Sequence, residues 1–310
     1  LPGSGTNKQK ILLSAHLDEV GVMVTSIDEQ GFLRFAPVGG VDPAVLVGRR
    51  VRGNAVTGVI GRRPIHLVPA AERTVSVKMD DLVIDIGASD RREAEAWVAP
   101  GDPFVFDTGL RLMGDSLCGK ALDDRAGCAL LLELLPSLRP ANDLYLTFVT
   151  GEEVGLRGAR VAAARIRPDI ALVVECTTAA DLPTVPAHQQ VCRLEGGPVI
   201  SFMDKATIYD KGLYDLAFAV AAEEGLPCQP KAAVAGGNDA GAIHLAGHGV
   251  RTLAVSLPCR YLHSGQSLIR RSDYHATRRL LQALVARIDR DLSADPVENP
   301  GTCSKTVEQP

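Results

Sequence analysis

Aromatic residues are scarce in this chain of 310 residues: Phe, Trp and Tyr make up 4%, with a single Trp. That excludes the stacking platforms on which single-stranded nucleic acids are held. No excess of positive charge exists either: 33 Lys and Arg stand against 37 Asp and Glu, a net charge of −4. A basic footprint for DNA or RNA is therefore missing. No apolar run approaches 18 residues, so no membrane-spanning helix is expected. None of the seven Cys forms a C-x-x-C pair, and their number is odd. Such usage fits reduced thiols in a cytoplasmic protein better than a disulfide framework. The opening LPGSGTNKQK has neither a Met nor the apolar stretch of a signal peptide. The expectation is a processed chain or part of a longer gene product.

What is present is a large apolar complement, 46% hydrophobic, enough for one large domain with an insertion or for two domains. KILLSAH (10–16) reads as a buried parallel strand, and GVMVTSIDEQGFLRFAPV as a hairpin turning near Gln30-Gly31. Between about 22 and 112 come several short β-like runs, RVRGNAVTGVIG, PIHLV, DLVIDIG and DPFVFDTG, punctuated by Gly and Pro. This spacing indicates a small barrel or sandwich, with RREAEAWV as its one helix. After about 112, helix and strand alternate. DDRAGCALLLELL, VGLRGARVAAARI and IYDKGLYDLAFAVAAEEG are helical, the last stopped at Gly225, while LYLTFVT, IALVVE and TLAVSLP are strands. The final amphipathic helix starts with Ser272 as its N-cap and buries Leu280, Leu281, Leu284, Ile288 and Leu292. The residues from 296 to 310 form a polar tail.

Four apolar strands deliver an acid or a His at their carboxyl ends, where open α/β sheets bind ligands. The first ends in His16, followed by Asp18 and Glu19. The second runs into Glu152 and Glu153, the third ends in Glu175, and the fourth leads to His263; Asp123-Asp124 opens a helix after Gly119-Lys120. Singly, each has an ordinary explanation, such as a surface His, an N-cap or first-turn acids on a helix dipole. Jointly they do not. Brought together, Asp18, Asp123, Glu152, Glu153 and Glu175 repel one another, and Lys120, Arg125 and Arg260 are the nearest cations in sequence. Divalent cations resolve this, and two His with several carboxylates suit Zn²⁺ or another first-row metal. In His16-x-Asp18 the acid is placed to orient the ring. Adjacent Glu152 and Glu153, if extended, point to opposite sides, so that one ligates and the other serves as general base.

Over about residues 10 to 290, SAHLDEVGVMV, RPIHL, DLVIDIGAS, GKALDDRAGCA, TGEEVGLRGA, TTAADLP, GGNDAGAIHL and PCRYLHS appear in the order of the M42 metallo-aminopeptidases. The chain resembles that family, which includes glutamyl, deblocking and tetrahedral aminopeptidases. The resemblance implies a mixed-sheet α/β/α zinc-peptidase catalytic domain (1–21 and 113–295) with an inserted β-barrel-like dimerisation domain (22–112). It implies two divalent metal ions per subunit, Zn before Co or Mn. One would be held by His16, Asp123 and Glu175, the other by Asp123, Glu153 and His263, with Asp123 bridging. Its choice over Asp124 follows the position of Gly127. Glu152 would be the general base and Asp18 the support of His16. The implied partners are peptide substrates and further copies of the chain, dimers that build a dodecamer.

Two departures stand out. Glu175 occupies a position where the family often has Asp, one methylene shorter. Only nine residues precede Lys10, where the family carries about 40–50, so the expectation is a longer native chain and, without that segment, an open sheet edge. Arg260 and Tyr261 are candidates for the pocket wall or for plain packing and a salt bridge, and Gly236-Gly237-Asn238-Asp239 for a close backbone approach to substrate. Rival readings are a related zinc deacylase or carboxypeptidase, and an inactive structural subunit. A glycosidase needs carboxylates roughly 5–9.5 Å apart across a bond and leaves both His without a role. A serine triad through Ser14 or Ser264 lacks the G-x-S-x-G elbow. Cys176 reads as a small buried residue rather than a nucleophile.

Overall fold

The computed structural model describes residues 1–6 and 8–293. Strand β1 (Lys10–His16) occupies an inner position of a mixed six-stranded sheet. The chain then leaves the sheet for a closed barrel. Its elements are β2 (Gly21–Ile27), β3 (Leu33–Val38), α1 (Pro43–Leu46), β4 (Arg50–Arg52), β5 (Thr57–Arg62), β6 (Leu82–Asp85), α2 (Arg91–Glu95) and β7 (Pro103–Phe106). The barrel order is β2-β3-β6-β5-β4-β7. Alternation along β2 and β5 turns Val22, Val24 and Ile60 inward, where they meet Leu33, Ile84 and Phe104 in a core separate from that of the sheet. The hairpin turn expected near Gln30-Gly31 is there, with Gly31 at φ +84°.

Two details of the expected β block differ. PIHLV is not extended: Ile65–Leu67 form one 3₁₀ turn after Pro64, because prolines at 64 and 69 remove ladder donors and fix φ. Past Phe106 the chain leaves the barrel, and β8 (Arg111–Met113) pairs with β9 (Ser116–Gly119) in a small three-stranded sheet completed by β15 (Ser267–Arg270).

The remaining elements are α3 (Leu122–Leu134), β10 (Asp143–Val149), α4 (Arg157–Ile166), β11 (Ile170–Thr178), β12 (Val199–Ile200), α5 (Lys211–Glu223), β13 (Gln229–Pro230), α6 (Ala240–Ile243), β14 (Arg251–Cys259) and α7 (Arg271–Ser293). The large sheet runs β10-β1-β11-β14-β12-β13, with β10, β1, β11 and β14 parallel and β12 antiparallel to β14. β1, β11 and β14 are continuous apolar runs because both faces are buried, α3 packing on β1 and β11 and α7 on β14. α7 starts one residue before Ser272, which is therefore inside the helix and not its cap. Its expected apolar stripe is correct: Leu280, Leu281, Leu284 and Ile288 are buried, with Leu292 partly so. The polar tail expected at 296–310 lies outside the described residues.

Helix α5 stops as its sequence indicates, with Gly225 at φ +62°. Its start is held by Asp210, whose carboxylate accepts from Leu213 N–H at 2.8 Å and pairs with the Arg251 guanidinium at 2.9 and 3.1 Å. The hydrogen bond from Arg251 outweighs burial and holds Asp210 below its ordinary value of 3.8. A depressed folded pKa gives stability that is complete above 3.8 and is lost as pH falls through the lower folded value. Asp210→Ala is expected to cost about 1–2 kcal/mol at neutral pH, the range for losing an N-cap. In urea melts that cost should shrink below pH 3.8 as the wild-type carboxylate protonates.

Candidate functional site

Parallel strands bring the acids and histidines to one end of the sheet. β1 ends at His16 while its neighbour β11 runs on, so Glu175 projects past the last paired residue of β1. Asp123 and Asp124 depart from helical geometry ahead of the regular turns of α3, with a cis peptide between them. The two have separate duties. Asp124 is fully buried and accepts from the His16 and Gly127 N–H groups at 3.3 and 3.2 Å, tying α3 to β1. A Cβ on Gly127 would stand 2.4 Å from the Asp124 carboxylate, so only glycine permits this closure. Asp123 faces the cleft.

The side-chain distances fall into two groups around Asp123. Its Oδ1 is 3.4 Å from His16 Nε2, which is also 3.5 Å from Glu175 Oε2. Its Oδ2 is 3.5 Å from His263 Nε2, which is also 3.6 Å from Glu153 Oε2. Each residue named from sequence as a ligand is thus in this constellation. Glu152 lines the adjoining cleft, about 470 Å³ in volume, together with His16, Asp123, Glu175 and His263. Glu153 lines a small recess on the other side, beside His263 and Phe106. The extended Glu152-Glu153 backbone expected from sequence is instead a turn, in which Gly155 and Leu156 donate back to the Glu152 carbonyl. Gly151 at φ +78° allows it.

Asp18 helps to form that turn. Its two oxygens accept from the Glu152 and Glu153 N–H groups at 3.3 and 3.2 Å. Its carboxylate is also 3.5 Å from His16 Nδ1, but the Asp18 backbone carbonyl is nearer, at 3.1 Å. One residue therefore fixes both the ring of His16 and the turn bearing the two glutamates. The barrel contributes as well, a point absent from the sequence reading. His263 Nδ1 meets the Gly40 carbonyl at 2.9 Å, and a Cβ on Gly39 would lie 3.1 Å from Glu153 Oε2. The adjacent glycines after β3 were the available signal.

The three nearby cations are spent elsewhere. Lys120 and Arg125 pair with Glu19, and Arg260 with Asp181. Arg260 is thus structural, and Tyr261 is half exposed outside the cleft. Gly236, Gly237 and Asn238 do line it, whereas Asp239 lies behind them, fully buried. Cys176 gives its thiol to the Leu122 carbonyl at 3.2 Å, and its pKa is raised well above the ordinary value, chiefly by Cys259 and by burial, which suits an inert thiol. Lys231, which sequence reasoning passed over, lines the cleft. Its only signal was a charge after Gln-Pro in an otherwise uncharged stretch.

The electrostatics follow from this crowding. Burial pushes the Glu153 carboxyl up to about 7 against the pull of His263, with Asp123 adding to the rise. Burial likewise raises Glu152, and the neighbouring Asp239, Glu153 and Asp123 raise it further. The hydrogen bond to Asp123 lifts His263 to about 9, and Glu153 adds to it. Burial alone would lower His16, but Glu175, Asp123 and Asp18 overcome it and drive its pKa far up. Without a further cation, the site must hold protons to stay folded.

Asp123 Oδ1 and Glu175 Oε1 are buried with no hydrogen-bond partner. Ligand atoms of His16, Asp123 and Glu153 lie within 4.8 Å of one another, as do those of His16, Asp124 and Glu175. Orphaned oxygens, imidazoles and mutual spacing fit a divalent cation of the first-row type. Added Zn²⁺ at a hundred times its Kd should stabilise metal-free protein by about 2.7 kcal/mol. Asp123→Ala should abolish most of that gain in thermal melts, whereas an undiminished gain would place the ion elsewhere.

The chain matches the family model described as M42 glutamyl aminopeptidase over residues 2–280. A putative aminopeptidase of Acetivibrio thermocellus is 39% identical over 274 residues, covering 88% of this chain and 81% of that protein. The solved TET aminopeptidase from a marine sediment archaeon, Thaumarchaeota archaeon SCGC AB-539-E09, superposes with a TM-score of 0.89 at 34% identity, covering 93% and 84% of the two chains. The Pyrococcus horikoshii TET1 peptidase, described as assembling into a tetrahedron or a large octahedral shell, gives a TM-score of 0.79 at 34% identity, covering 91% and 84%. With its mixed sheet, its barrel, its cluster of acids and histidines and these matches, the chain belongs to the M42 family of aminopeptidases.

Proposed function

We propose that this chain is a dinuclear metal-dependent aminopeptidase that removes N-terminal residues from peptides. The observation that carries the reading is the division of contacts about the two oxygens of Asp123, with His16 and Glu175 on one side and His263 and Glu153 on the other. In this reading His16, Asp123 and Glu175 hold one ion, and Asp123, Glu153 and His263 the other, with Zn²⁺ ahead of Co²⁺ or Mn²⁺. Glu175, longer than Asp, already reaches His16 Nε2 at 3.5 Å. When bound, the ions supply Lewis-acid polarisation of the scissile carbonyl and acidify a water.

The rest is the work of side chains. Glu152 takes the proton from that water and later delivers it to the departing amine. Burial keeps its carboxyl basic enough to accept. Asp18 holds the Glu152 and Glu153 N–H groups, so the base and the neighbouring ligand stay in register. The carboxylate-lined cleft attracts the α-ammonium of a free N-terminus, which favours exopeptidase action.

We place the protein in the cytoplasm, for which the support is that all six described cysteines are unpaired. No described helix is long and apolar enough to cross a membrane. We also infer a homo-oligomer built from dimers through the barrel, up to a dodecamer. The barrel exposes Ile65, Leu67 and Val75, and one relative is described as forming closed shells.

Glu152→Gln should retain its metal yet lose about 10²- to 10⁴-fold in kcat on aminoacyl anilides, the usual contribution of a general base. N-acetylated anilides should remain intact under conditions where the free-amine substrates are cleaved. Preferential cleavage of the acylated substrates would instead point to a deacylase.

A further inference from the structure

We propose that Lys231 selects the N-terminal residue, and that the selected residue is acidic: its ammonium receives the side-chain carboxylate of an N-terminal Glu or Asp. The inference rests on the aminopeptidase reading above and deepens it. Family membership does not decide the point, since the family resembled here spans more than one kind of aminopeptidase.

Lys231 is the sole Lys or Arg among the residues lining the cleft, where the acids are Asp42, Asp123, Glu152 and Glu175. It is only 6% exposed. Lysine is almost never buried without a partner, because its charge loses hydration. Among the described residues, however, no hydrogen bond or ion pair within 4.0 Å engages its Nζ. The acids that might have neutralised it are occupied. Asp204 accepts from the Tyr209 hydroxyl and the Ala206 and Thr207 N–H groups, and Glu175 faces His16. Burial lowers the Lys231 pKa, while Asp204, Cys192 and Glu175 pull it back up.

Its backbone is firmly held. Lys231 N–H donates to the Ile200 carbonyl at 2.9 Å, and the next residue, Ala232, donates to Val191 at 2.8 Å. The stem of the side chain thus emerges from the end of β13, a fixed element, beside Thr177, Thr178 and Ala235, which are small and polar or small and apolar. An unpaired, pre-placed cation in a narrow polar recess is matched by a short anion. Without it, an acidic side chain in this cleft would meet only carboxylates. With it, an N-terminal Lys is repelled locally, and a neutral residue leaves the ammonium desolvated and unpaired.

A competing role is simple charge balance, in which Lys231 offsets Asp204 and Glu175 and has no dealings with substrate. The two differ in what substitution does to selectivity. We would measure kcat/KM of the metal-loaded wild type, Lys231→Met and Lys231→Arg on the glutamyl, leucyl and lysyl p-nitroanilides. The wild type should favour the glutamyl substrate over the leucyl one by roughly tenfold or more, with the lysyl substrate last. Lys231→Met should lose about 10- to 100-fold on the glutamyl substrate, as expected for removing a charge-assisted contact. Its leucyl activity should persist, which also shows that the variant folds, and Lys231→Arg should recover part of the glutamyl activity. A wild type that prefers leucyl or lysyl substrate overturns the inference alone, as does a Met variant weakened equally on all three. Failure of the metal-loaded wild type to cleave any of the three would instead remove the aminopeptidase reading, and this inference with it.

Discussion

Everything at the functional end of this molecule depends on carboxylates gathered without a matching set of cations. Asp18, Asp123, Asp124, Glu152, Glu153 and Glu175 surround two imidazoles, while the nearest Lys and Arg side chains are bound to Glu19 and Asp181. Like charges this close cannot all ionise in a partly dry cleft, and the raised pKa values of Glu152, Glu153 and Glu175 express that conflict. A folded chain tolerates such repulsion only where something else, protons or metal ions, resolves it. Orphaned oxygens on Asp123 and Glu175 favour ions.

The fold exists to hold this arrangement against its own repulsion. Parallel strands with both faces buried fix where His16 and Glu175 emerge, and the staggered ends of β1 and β11 open the space between them. Asp124 spends its charge on two backbone N–H groups and Asp18 on two more, so two of the acids stabilise the loops that carry the others. The barrel, inserted immediately after β1, returns its Gly39-Gly40 turn to His263 and Glu153. The insertion is therefore part of the site's scaffold as well as a surface available for assembly.

Much of this was legible in the sequence because burial dictates composition. Runs such as ILLSA and ALVV can only be strands covered on both faces, and an acid or His at the end of each marks the ligand end of the sheet. Boundaries set by backbone hydrogen bonding were less visible. Ser272 has the chemistry of an N-cap, but α7 follows directly from β15 and begins at Arg271. PIHLV has β-like residues, yet its prolines and packing leave a 3₁₀ turn. The Glu152-Glu153 turn depends on Asp18, more than a hundred residues earlier, and no local pattern encodes it. Lys231 escaped notice because one lysine in a loop normally means a solvated surface, and only the tertiary fold buries it.

The central claim is that one aspartate, Asp123, shares two metal ions between two imidazole–carboxylate sets. Elemental analysis of chelator-free protein, equilibrated with Zn²⁺ and passed through a desalting column, tests it most directly. The account predicts about two ions per chain in the wild type, and near-complete loss of both in Asp123→Ala because the shared ligand is gone. One ion per chain, or two ions that survive removal of Asp123, would contradict the bridged arrangement.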